Sequence, residues 1–178
     1  MTLPLLERLP PHDIEAEEAV IAAILVDPEA IYKVTPILKP SDFFREKNAW
    51  IYEVAVELWG RDESINQITI AHELNRQDRL EEVGGQSYLG DIIRQLPTSV
   101  GVEFYAQIVK RDSTYRGLIN AATGILQLAY EAPADLDTVF SRSEELLQRL
   151  RGGENFRDFV HISQVLQAYL EEDVEAIE

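Results

Sequence analysis

Three histidines are the residues whose chemistry would best suit metal binding or proton transfer. His12, His72 and His161 lie far apart in the chain, so their spacing does not indicate a shared metal site. The pair His72-Glu73 resembles the start of the metalloprotease motif, in which a second histidine follows one helical turn later. Residue 76 is an arginine instead, and the chain has no cysteine that could serve as a ligand. We therefore expect no metal site.

Two glycine pairs and two serines are the next candidates, for phosphate binding and for nucleophilic catalysis. Neither Gly84-Gly85 nor Gly152-Gly153 is followed by the Gly-Lys-Ser/Thr of a P-loop. Ser99 and Ser141 do not lie in the sharp turn that exposes a nucleophilic serine. Carboxylates are abundant, but abundance in an acidic chain does not identify an acid–base pair. The sequence therefore predicts no catalytic residue and no bound cofactor.

Length and composition are those of an ordinary globular protein. The chain has 178 residues, of which 46% are hydrophobic and 27% charged. This is enough for one domain, or one domain with an appendage. No apolar run approaches the roughly 20 residues of a membrane span, and no signal-peptide pattern opens the chain. We expect no membrane association and a cytoplasmic location.

The charge balance argues against nucleic-acid binding. The chain has 32 acidic and 16 basic residues, a net charge of −16. A surface that binds phosphate backbone presents clustered Lys and Arg, whereas the longest basic cluster here is Lys110-Arg111. We expect little or no direct DNA binding. The acidity is either a solvated surface or a negative field that attracts a basic partner segment.

Apolar residues at helical spacing occur along nearly the whole chain and predict an all-α fold. Residues 1–97 are predicted to form a compact helical bundle. Asp13, after Pro10-Pro11, is placed to cap the first helix. Asp27-Pro28 ends that helix and starts the next, because proline fits the first helical position. A longer helix is predicted from near Lys47 to about Gly60.

Residues 98–151 are predicted to form a long antiparallel helical hairpin in the same domain. Apolar residues recur at alternating spacings of three and four, as in a coiled-coil seam, up to Tyr130 and again from Leu136. The bend is predicted at Ala132-Pro133-Ala134, with Asp135 capping the second helix. Phe140 and Leu147 widen the second stripe beyond what one neighbour covers.

The predicted hairpin needs a partner for its apolar surface. Two helices alone leave much of that surface in water, at a cost of roughly 25 cal/mol per Å². Aromatic residues are enriched at interfaces, so we predict that Tyr105, Tyr115 and Tyr130 anchor self-association, together with Ile119 and Ile125. The alternative is that these side chains form intramolecular core.

The last part of the chain is predicted to be a linker and a separate helix. Gly152-Gly153 opens a flexible linker at residues 152–161. Residues 162–178 place apolar side chains at helical spacing without a stop signal, so we expect this helix to continue in a longer polypeptide. The alternative is a helix that folds back on the bundle. Its contact face is predicted to comprise Ile162, Leu166, Tyr169 and Leu170.

Three longer segments resemble, in this order and spacing, the N-terminal domain of the bacterial replicative DNA helicases of the DnaB family. They are residues 10–17 (PPHDIEAE), 79–89 (RLEEVGGQSYL) and 105–109 (YAQIV). Shorter segments match in the same order: Leu25-Val26-Asp27, Asp42-Phe43-Phe44, residues 68–74 (ITIAHEL) and Pro97-Thr98-Ser99. The ordered set carries the resemblance, which is strongest from about Pro10 to Gly124.

The resemblance implies an architecture. N-terminal domains of this family combine a helical bundle with a helical hairpin, pair through their hairpins into dimers, and assemble as a trimer of dimers in the hexamer. This collar lies above a ring of RecA-like ATPase domains that unwinds the replication fork. The helix at residues 162–178 resembles the family's linker helix. We therefore expect the chain to stop before the ATPase domain, to which ATP, Mg²⁺ and enzyme activity would belong.

The resemblance also implies partners. The family's collar receives the C-terminal helicase-binding domain of primase and, in some bacteria, a helicase loader. Glu15 and Tyr88 are candidates for a partner surface; alternatively, Tyr88 is core and Glu15 is a charge near a helix N-terminus. The residues predicted for self-association and primase docking are Tyr105, Tyr115, Ile119, Ile125, Leu126, Phe140 and Leu147.

The function predicted from these residues is oligomerisation and partner docking within a replicative helicase. Two rival classes stay open. One is a stand-alone helical adaptor or regulator that binds a helicase without being part of it. The other is a small metal- or ligand-binding helical enzyme, against which the absence of clustered histidines and of Glu-x-x-His pairs counts.

Overall fold

The first helix begins directly after Asp13, whose side chain caps it. In the computed structural model, which describes residues 9–95, 99–131 and 135–151, the Asp13 carboxylate accepts a hydrogen bond of 2.9 Å from the Ala16 amide. Helix α1 spans Ile14–Val26, with Glu15 and Glu17 in its first turn, where the helix dipole favours negative charge. The predicted cap is confirmed.

Seven further α-helices follow α1 in the described residues. Two short 3₁₀ turns, Pro28–Ala30 and Pro40–Asp42, lie between the first three α-helices. No β-strand occurs in the described ranges, and the all-α prediction is confirmed. The further helices are α2 (Ile31–Val34), α3 (Glu46–Gly60), α4 (Gln67–Arg76), α5 (Leu80–Val83), α6 (Gly85–Gln95), α7 (Val102–Glu131) and α8 (Leu136–Arg151).

Helix α1 is the centre of the bundle. Every residue from Ala19 to Leu25 is buried, and α1 packs against both α3 and α6. A helix that is apolar on all sides is stable only when neighbours surround it. Each fully buried isoleucine or valine side chain on it, such as Val20 or Ile24, contributes about 1.5–3 kcal/mol relative to exposure.

Helix α3 contributes buried and exposed aromatic residues. The buried Tyr52 donates its hydroxyl hydrogen to the Leu38 carbonyl oxygen over 3.1 Å, which satisfies the polar tip of a core side chain. Two tryptophans lie on the same helix: the Arg79 guanidinium lies 5.1 Å from the Trp50 ring, and Trp59 meets Tyr32 edge-on with ring centroids 5.4 Å apart.

Residues near the helix ends also determine where α4 begins and where α5 ends. The Asn66 side chain accepts hydrogen bonds from the amides of Ile68 and Thr69, and the Thr69 hydroxyl accepts one from the Asn66 amide, which forms a capping box. Helix α5 ends at Gly84 with φ at +107°, a left-handed conformation that glycine adopts without steric strain.

The described residues fall into two compact units. Unit 1 lies within Met1–Ile119 and unit 2 within Asn120–Glu178, so the division falls inside α7. The domain scheme predicted from the sequence, with boundaries after residues 97, 151 and 161, stays a prediction. Pro97, the linker and the helix with Ile162, Leu166, Tyr169 and Leu170 lie outside the described residues.

None of the helices in residues 9–95, 99–131 and 135–151 combines the length and the apolar character needed to cross a lipid bilayer.

Candidate protein-interaction site

In unit 1, residues 112–119 of helix α7 expose three large apolar side chains on one face. Tyr115 (50% exposed), Leu118 and Ile119 have the i, i+3, i+4 spacing that aligns residues along a helix. We call these three residues the α7 row. Tyr115 and Ile119 are among the residues predicted from the sequence, whereas Leu118 is not, although its spacing from Tyr115 places it on the same face.

In unit 2, both helices expose large apolar residues. Tyr130 is 83% exposed and Phe140 is 66% exposed, whereas Ile125 is half-buried. Exposed apolar residues in such number at helical spacing are typical of an interaction surface rather than of a solvated one. We call these residues the unit 2 set: Leu126, Tyr130, Leu136, Phe140 and Leu147.

Helices α7 and α8 approach closely inside unit 2 at Gly124. A Cβ atom at this position would lie 3.0 Å from Leu146 Cδ1, so the absent side chain allows the contact. A groove of about 320 Å³ runs beside it and includes Arg142 and Arg149 in its lining. Arg149 is paired with Glu145 at 2.7 Å. Asp135 caps α8 through the Asp137 amide at 3.1 Å, as predicted.

Tyr105 lies in a different environment from the exposed tyrosines. It is half-buried and packs against the hydrophobic core of unit 1, beside the buried residues Val102, Ala106 and Val109 of the same helix. Its ring also meets the ring of Phe104 edge-on at 5.9 Å. The first turns of α7 are therefore part of the bundle core, and a role for Tyr105 in self-association stays a prediction.

Polar contacts on Asp42 also hold the first half of α7 on the bundle. The buried Asp42 carboxylate accepts hydrogen bonds from Ser113 Oγ at 2.7 Å and from the Lys39 amide at 2.8 Å. Lys110 Nζ lies 3.3 Å from the same carboxylate. A buried charge requires such partners, and Asp42 obtains two of its three from α7.

One turn further along α7, Arg116 binds two backbone carbonyls of the bundle. Its guanidinium donates to the carbonyl oxygen of Pro11 over 2.9 Å and also to that of Asp42. The guanidinium carbon lies 5.7 Å from the centre of the Phe44 ring. The Phe44 ring also stacks on the His12 ring, with the two ring centres 4.2 Å apart. Arg116 thus fixes the chain before α1 onto α7.

Glu15 and Tyr88, the two residues predicted for a partner surface, lie in different environments. Glu15 is exposed in the first turn of α1. Tyr88, on α6, is half-buried, and its hydroxyl lies 2.8 Å from both Glu18 Oε1 and Asn48 Oδ1. A phenol has a single hydrogen and donates to one of these acceptors at a time. Burial, and then the Glu18 carboxylate, raise the pKa of Tyr88 above its ordinary value.

Beneath Tyr88, a buried carboxylate joins α1 to α3. Glu17 is 1% exposed and accepts hydrogen bonds from the amides of Phe44 and Arg45 and from the side chain of Asn48. Arg45 is the N-cap residue of α3, and Phe44 is the residue before it, so both amides lie where the chain enters the helix. Glu17 therefore caps α3 from a neighbouring helix, a contact between distant segments that was not predicted from the sequence.

Residues considered for chemistry have structural contacts instead. Glu73 is bound by Arg76, the residue in the place of the second metalloprotease histidine, and by Arg61 at 3.4 Å. These hydrogen bonds, that of Arg76 first, lower the pKa of Glu73 from 4.5 to about 2. Across the three described ranges, no three His, Asp or Glu side chains are grouped to hold a metal ion.

Comparison with known proteins decides the family. The model of the DnaB-like helicase N terminal domain matches residues 9–111, which is more than half of the chain. The chain belongs to this family. The replicative DNA helicase DnaC of Bacillus subtilis (strain 168) is 39% identical over 166 residues, covering 93% of this chain and 37% of that protein. The replicative DNA helicase DnaB of Geobacillus stearothermophilus is 34% identical over 160 residues.

Solved structures agree with the membership in this helicase family. The N-terminal domain of DnaB helicase from Mycobacterium tuberculosis matches with a TM-score of 0.76 and 33% identity, covering 79% of this chain and 99% of that one. The N-terminal domain of DnaB helicase from Helicobacter pylori, described together with its interactions with primase, matches with a TM-score of 0.58 and 26% identity over 65% of this chain. The chain spans 35–37% of the length of the first two helicases.

Proposed function

We propose that this chain is an oligomerisation collar and partner-docking module of a replicative DNA helicase. The observation that carries the proposal is the exposure of large apolar side chains on the long helices. The α7 row and the unit 2 set leave eight of them in water, five with an exposed fraction of 45–50% and three with 66–83%. Burying such surface at roughly 25 cal/mol per Å² favours association.

Self-association is the simplest use of this surface. Apolar residues that recur at helical spacing on two antiparallel helices fit a second copy of the same helices, because an isologous contact uses the same patch twice. Helicases of this family assemble as rings. In such a ring, two copies of this chain would pair, and three pairs would form a trimer of dimers. Phe140, Leu147, Leu126 and Ile119 would supply most of the buried area.

Primase is the second proposed partner. The related domain from Helicobacter pylori is described with its interactions with primase. We infer docking of a primase C-terminal domain on this chain, with a helicase loader as a further partner, through the same helices and through Glu15 and Tyr88. The net charge of −16 favours partner segments that are basic and disfavours DNA itself.

The motor functions belong in this proposal to a part of the helicase outside this chain. A RecA-like ATPase domain would bind ATP and Mg²⁺ and unwind DNA in the cytoplasm. The segment with Ile162, Leu166, Tyr169 and Leu170 would be the linker helix that contacts a neighbouring motor domain. This assignment makes the chain itself a non-catalytic module.

Light scattering tests the proposal. The molar mass of the chain is measured over a concentration series, alone and with a primase C-terminal domain. We expect dimers or larger rings that take up primase. A monomer at every concentration that ignores primase would overturn both parts of the proposal. Dimers that do not bind primase would support the proposed self-association and contradict the proposed primase docking.

A further inference from the structure

Unit 1 exposes a second group of large apolar side chains, at the ends of its helices. They come from four places: the last residue of α1, helix α2, the last turn of α3, and the residues that lead into and begin α7. The members from α2 and from the start of α7 are 62–81% exposed. We call these residues the end patch: Val26, Tyr32, Trp59, Val100 and Phe104.

Three contacts bring these four places together. Ser99 Oγ donates a hydrogen bond of 3.1 Å to Asp27 Oδ2, which joins the end of α1 to the residues before α7. Lys33 Nζ lies 3.5 Å from Glu103 Oε1, which joins α2 to the first turn of α7. The edge-on contact between the α2 and α3 rings adds the end of α3. Each contact is made by a member of the end patch or by its neighbour in the chain, so the five side chains share one region of the surface. Exposed apolar residues grouped in this way are typical of an interaction surface.

The Tyr32–Trp59 pair lacks the cation that other aromatic rings of unit 1 have. Three of those rings have a cation of the chain at 3.3–5.7 Å from the ring centre; the pairs are Lys47 with Tyr88, Arg79 with Trp50, and Arg116 with Phe44. In the part of the chain that the structure describes, no lysine or arginine lies over the ring of Tyr32 or Trp59 in this way. Lys33, the neighbour of Tyr32, is engaged by Glu103 instead. The exposed parts of the two rings can therefore receive a cation from another molecule.

The charges beside the two rings also favour a cation. Glu29 is exposed, three residues before Tyr32, in the turn that leads into α2. Asp62 is exposed, three residues after Trp59, and its amide donates to the Trp59 carbonyl oxygen over 3.0 Å. Neither carboxylate forms an ion pair with a described residue, whereas Arg61 is engaged by two other carboxylates at 3.1 and 3.4 Å. Trp59 also lies at the C-terminal end of α3, where the helix dipole attracts positive charge.

We propose that the end patch docks a basic amphipathic segment of a partner protein, which places an arginine side chain on the Tyr32–Trp59 pair. A guanidinium is planar and weakly hydrated, so it stacks on an aromatic ring more readily than an ammonium group does. Apolar side chains of the same segment would cover Val26, Val100 and Phe104. A second copy of this chain is disfavoured as the occupant, because two acidic rims would face each other.

This docking is separate from the proposed function. The end patch has no residue in common with the α7 row, with the unit 2 set or with the two residues proposed for primase docking on the bundle. The proposal therefore rests on the exposure, the contacts and the charges at this end of unit 1.

Fluorescence anisotropy tests the proposed occupant. The probe is a fluorescein-labelled peptide of about 15 residues, in which leucine recurs at helical spacing and arginine fills the opposite face. It is titrated with the full chain at about 0.1 M salt, beside two peptides in which every arginine is replaced by lysine or by glutamate. We expect the arginine peptide to bind several-fold more tightly than the lysine peptide, and the glutamate peptide not to bind. Equal affinity for arginine and lysine would contradict stacking on the rings, and no binding of the arginine peptide would overturn the proposal.

Matched tyrosine variants locate the binding surface. Tyr32→Ala removes a ring that is largely exposed, so circular dichroism should show an intact fold. We expect affinity for the arginine peptide to fall about two- to fivefold, the range that a cation–π contact at an exposed site provides. The control is Tyr115→Ala, which removes an exposed tyrosine of the α7 row and should leave the affinity unchanged. Unchanged affinity in Tyr32→Ala, or an equal loss in both variants, would overturn the assignment to the end patch.

Charge variants distinguish the end patch from the general acidity of the chain. Glu29→Gln and Asp62→Asn each remove one negative charge beside the rings, and asparagine tolerates the left-handed backbone of residue 62, whose φ is 57°. We expect each to weaken binding of the arginine peptide, more at low salt than at high salt. Glu144→Gln removes the same charge from α8, in unit 2, and should have no effect. An equal effect of all three variants would show a response to net charge alone and would contradict the site.

One further variant separates this proposal from the proposed function. Ile119→Glu places a charge in the surface proposed for self-association, outside the end patch. It should bind the arginine peptide as tightly as the unmodified chain does, whatever its oligomeric state. Loss of peptide binding in this variant would contradict a docking surface confined to the end patch.

Discussion

Asn48 Nδ2 donates a hydrogen bond of 3.0 Å to Glu17 Oε2, across 31 residues of chain and between two helices of the bundle. The same carboxylate receives the amides of Phe44 and Arg45, while Arg45 itself offers α3 no side-chain cap. One buried side chain of α1 therefore fixes where α3 begins.

Removal of this carboxylate should be costly for the fold. Glu17→Ala leaves buried donors at the start of α3 unsatisfied, and we expect it to lower the free energy of unfolding by about 2–4 kcal/mol. Urea unfolding followed by circular dichroism measures the change. Glu15→Ala, on the exposed side of the same helix, is the control and should stay within about 0.5 kcal/mol. Equal stability of the two variants would show that Glu17 does not cap α3.

Charges placed on the apolar faces should prevent self-association. Ile119→Glu or Leu126→Glu puts a carboxylate where the proposed interface excludes water, and we expect the molar mass in light scattering to fall to that of a monomer. Helical content should be largely kept, because both side chains are exposed in the single chain. Asn120→Glu adds the same charge between them in sequence and should leave assembly intact. Unfolding of the monomer by Ile119→Glu would instead identify that residue as core.

Acid should weaken the contact between Glu73 and Arg76. The folded-state pKa of Glu73 lies at about 2, below its ordinary 4.5, so its stabilising contribution is complete above pH 4.5 and is lost as the pH falls towards 2. We expect Arg76→Gln to be less stable than the unmodified chain at neutral pH, and the difference to narrow in this acidic range. Urea midpoints across the pH series measure it. A difference that is constant with pH would exclude the Glu73 carboxylate as the cause.

A side chain at Gly124 should disturb unit 2. A Cβ atom there already meets Leu146 Cδ1 at 3.0 Å, and the two further carbons of valine would force the helices apart, at about 1–3 kcal/mol. Thermal unfolding by circular dichroism should detect the loss. Gly90→Ala is the helical control: its Cβ would lie 3.4 Å from Gln67 Nε2, and alanine raises helix propensity by up to about 1 kcal/mol. A Gly124→Val protein as stable as Gly90→Ala would contradict close packing at this point.

The helices were predictable from the sequence where the signal is local. Asp13 and Asp135 cap the helices that follow them because a cap needs only the next few residues. The predicted helix from near Lys47 to about Gly60 is observed as Glu46–Gly60, because its apolar residues recur at helical spacing.

The connections between distant segments were not predictable. Arg116 binds the Pro11 carbonyl across 105 residues, and Ser113 binds Asp42 across 71. Helical spacing likewise identifies a face without identifying what covers it. Tyr105 and Tyr115 share the predicted seam, yet the core of the bundle partly covers Tyr105, whereas Tyr115 is exposed.

Both tryptophans of the chain, Trp50 and Trp59, lie on α3 in unit 1. Tryptophan emission therefore reports on the bundle alone, while far-ultraviolet ellipticity sums over the helices of both units. A denaturation series recorded with both signals measures whether unit 1 and unit 2 lose structure in one cooperative step. Coincident curves would describe a single cooperative folding unit, and separated curves would give each unit its own stability without any labelling of the protein.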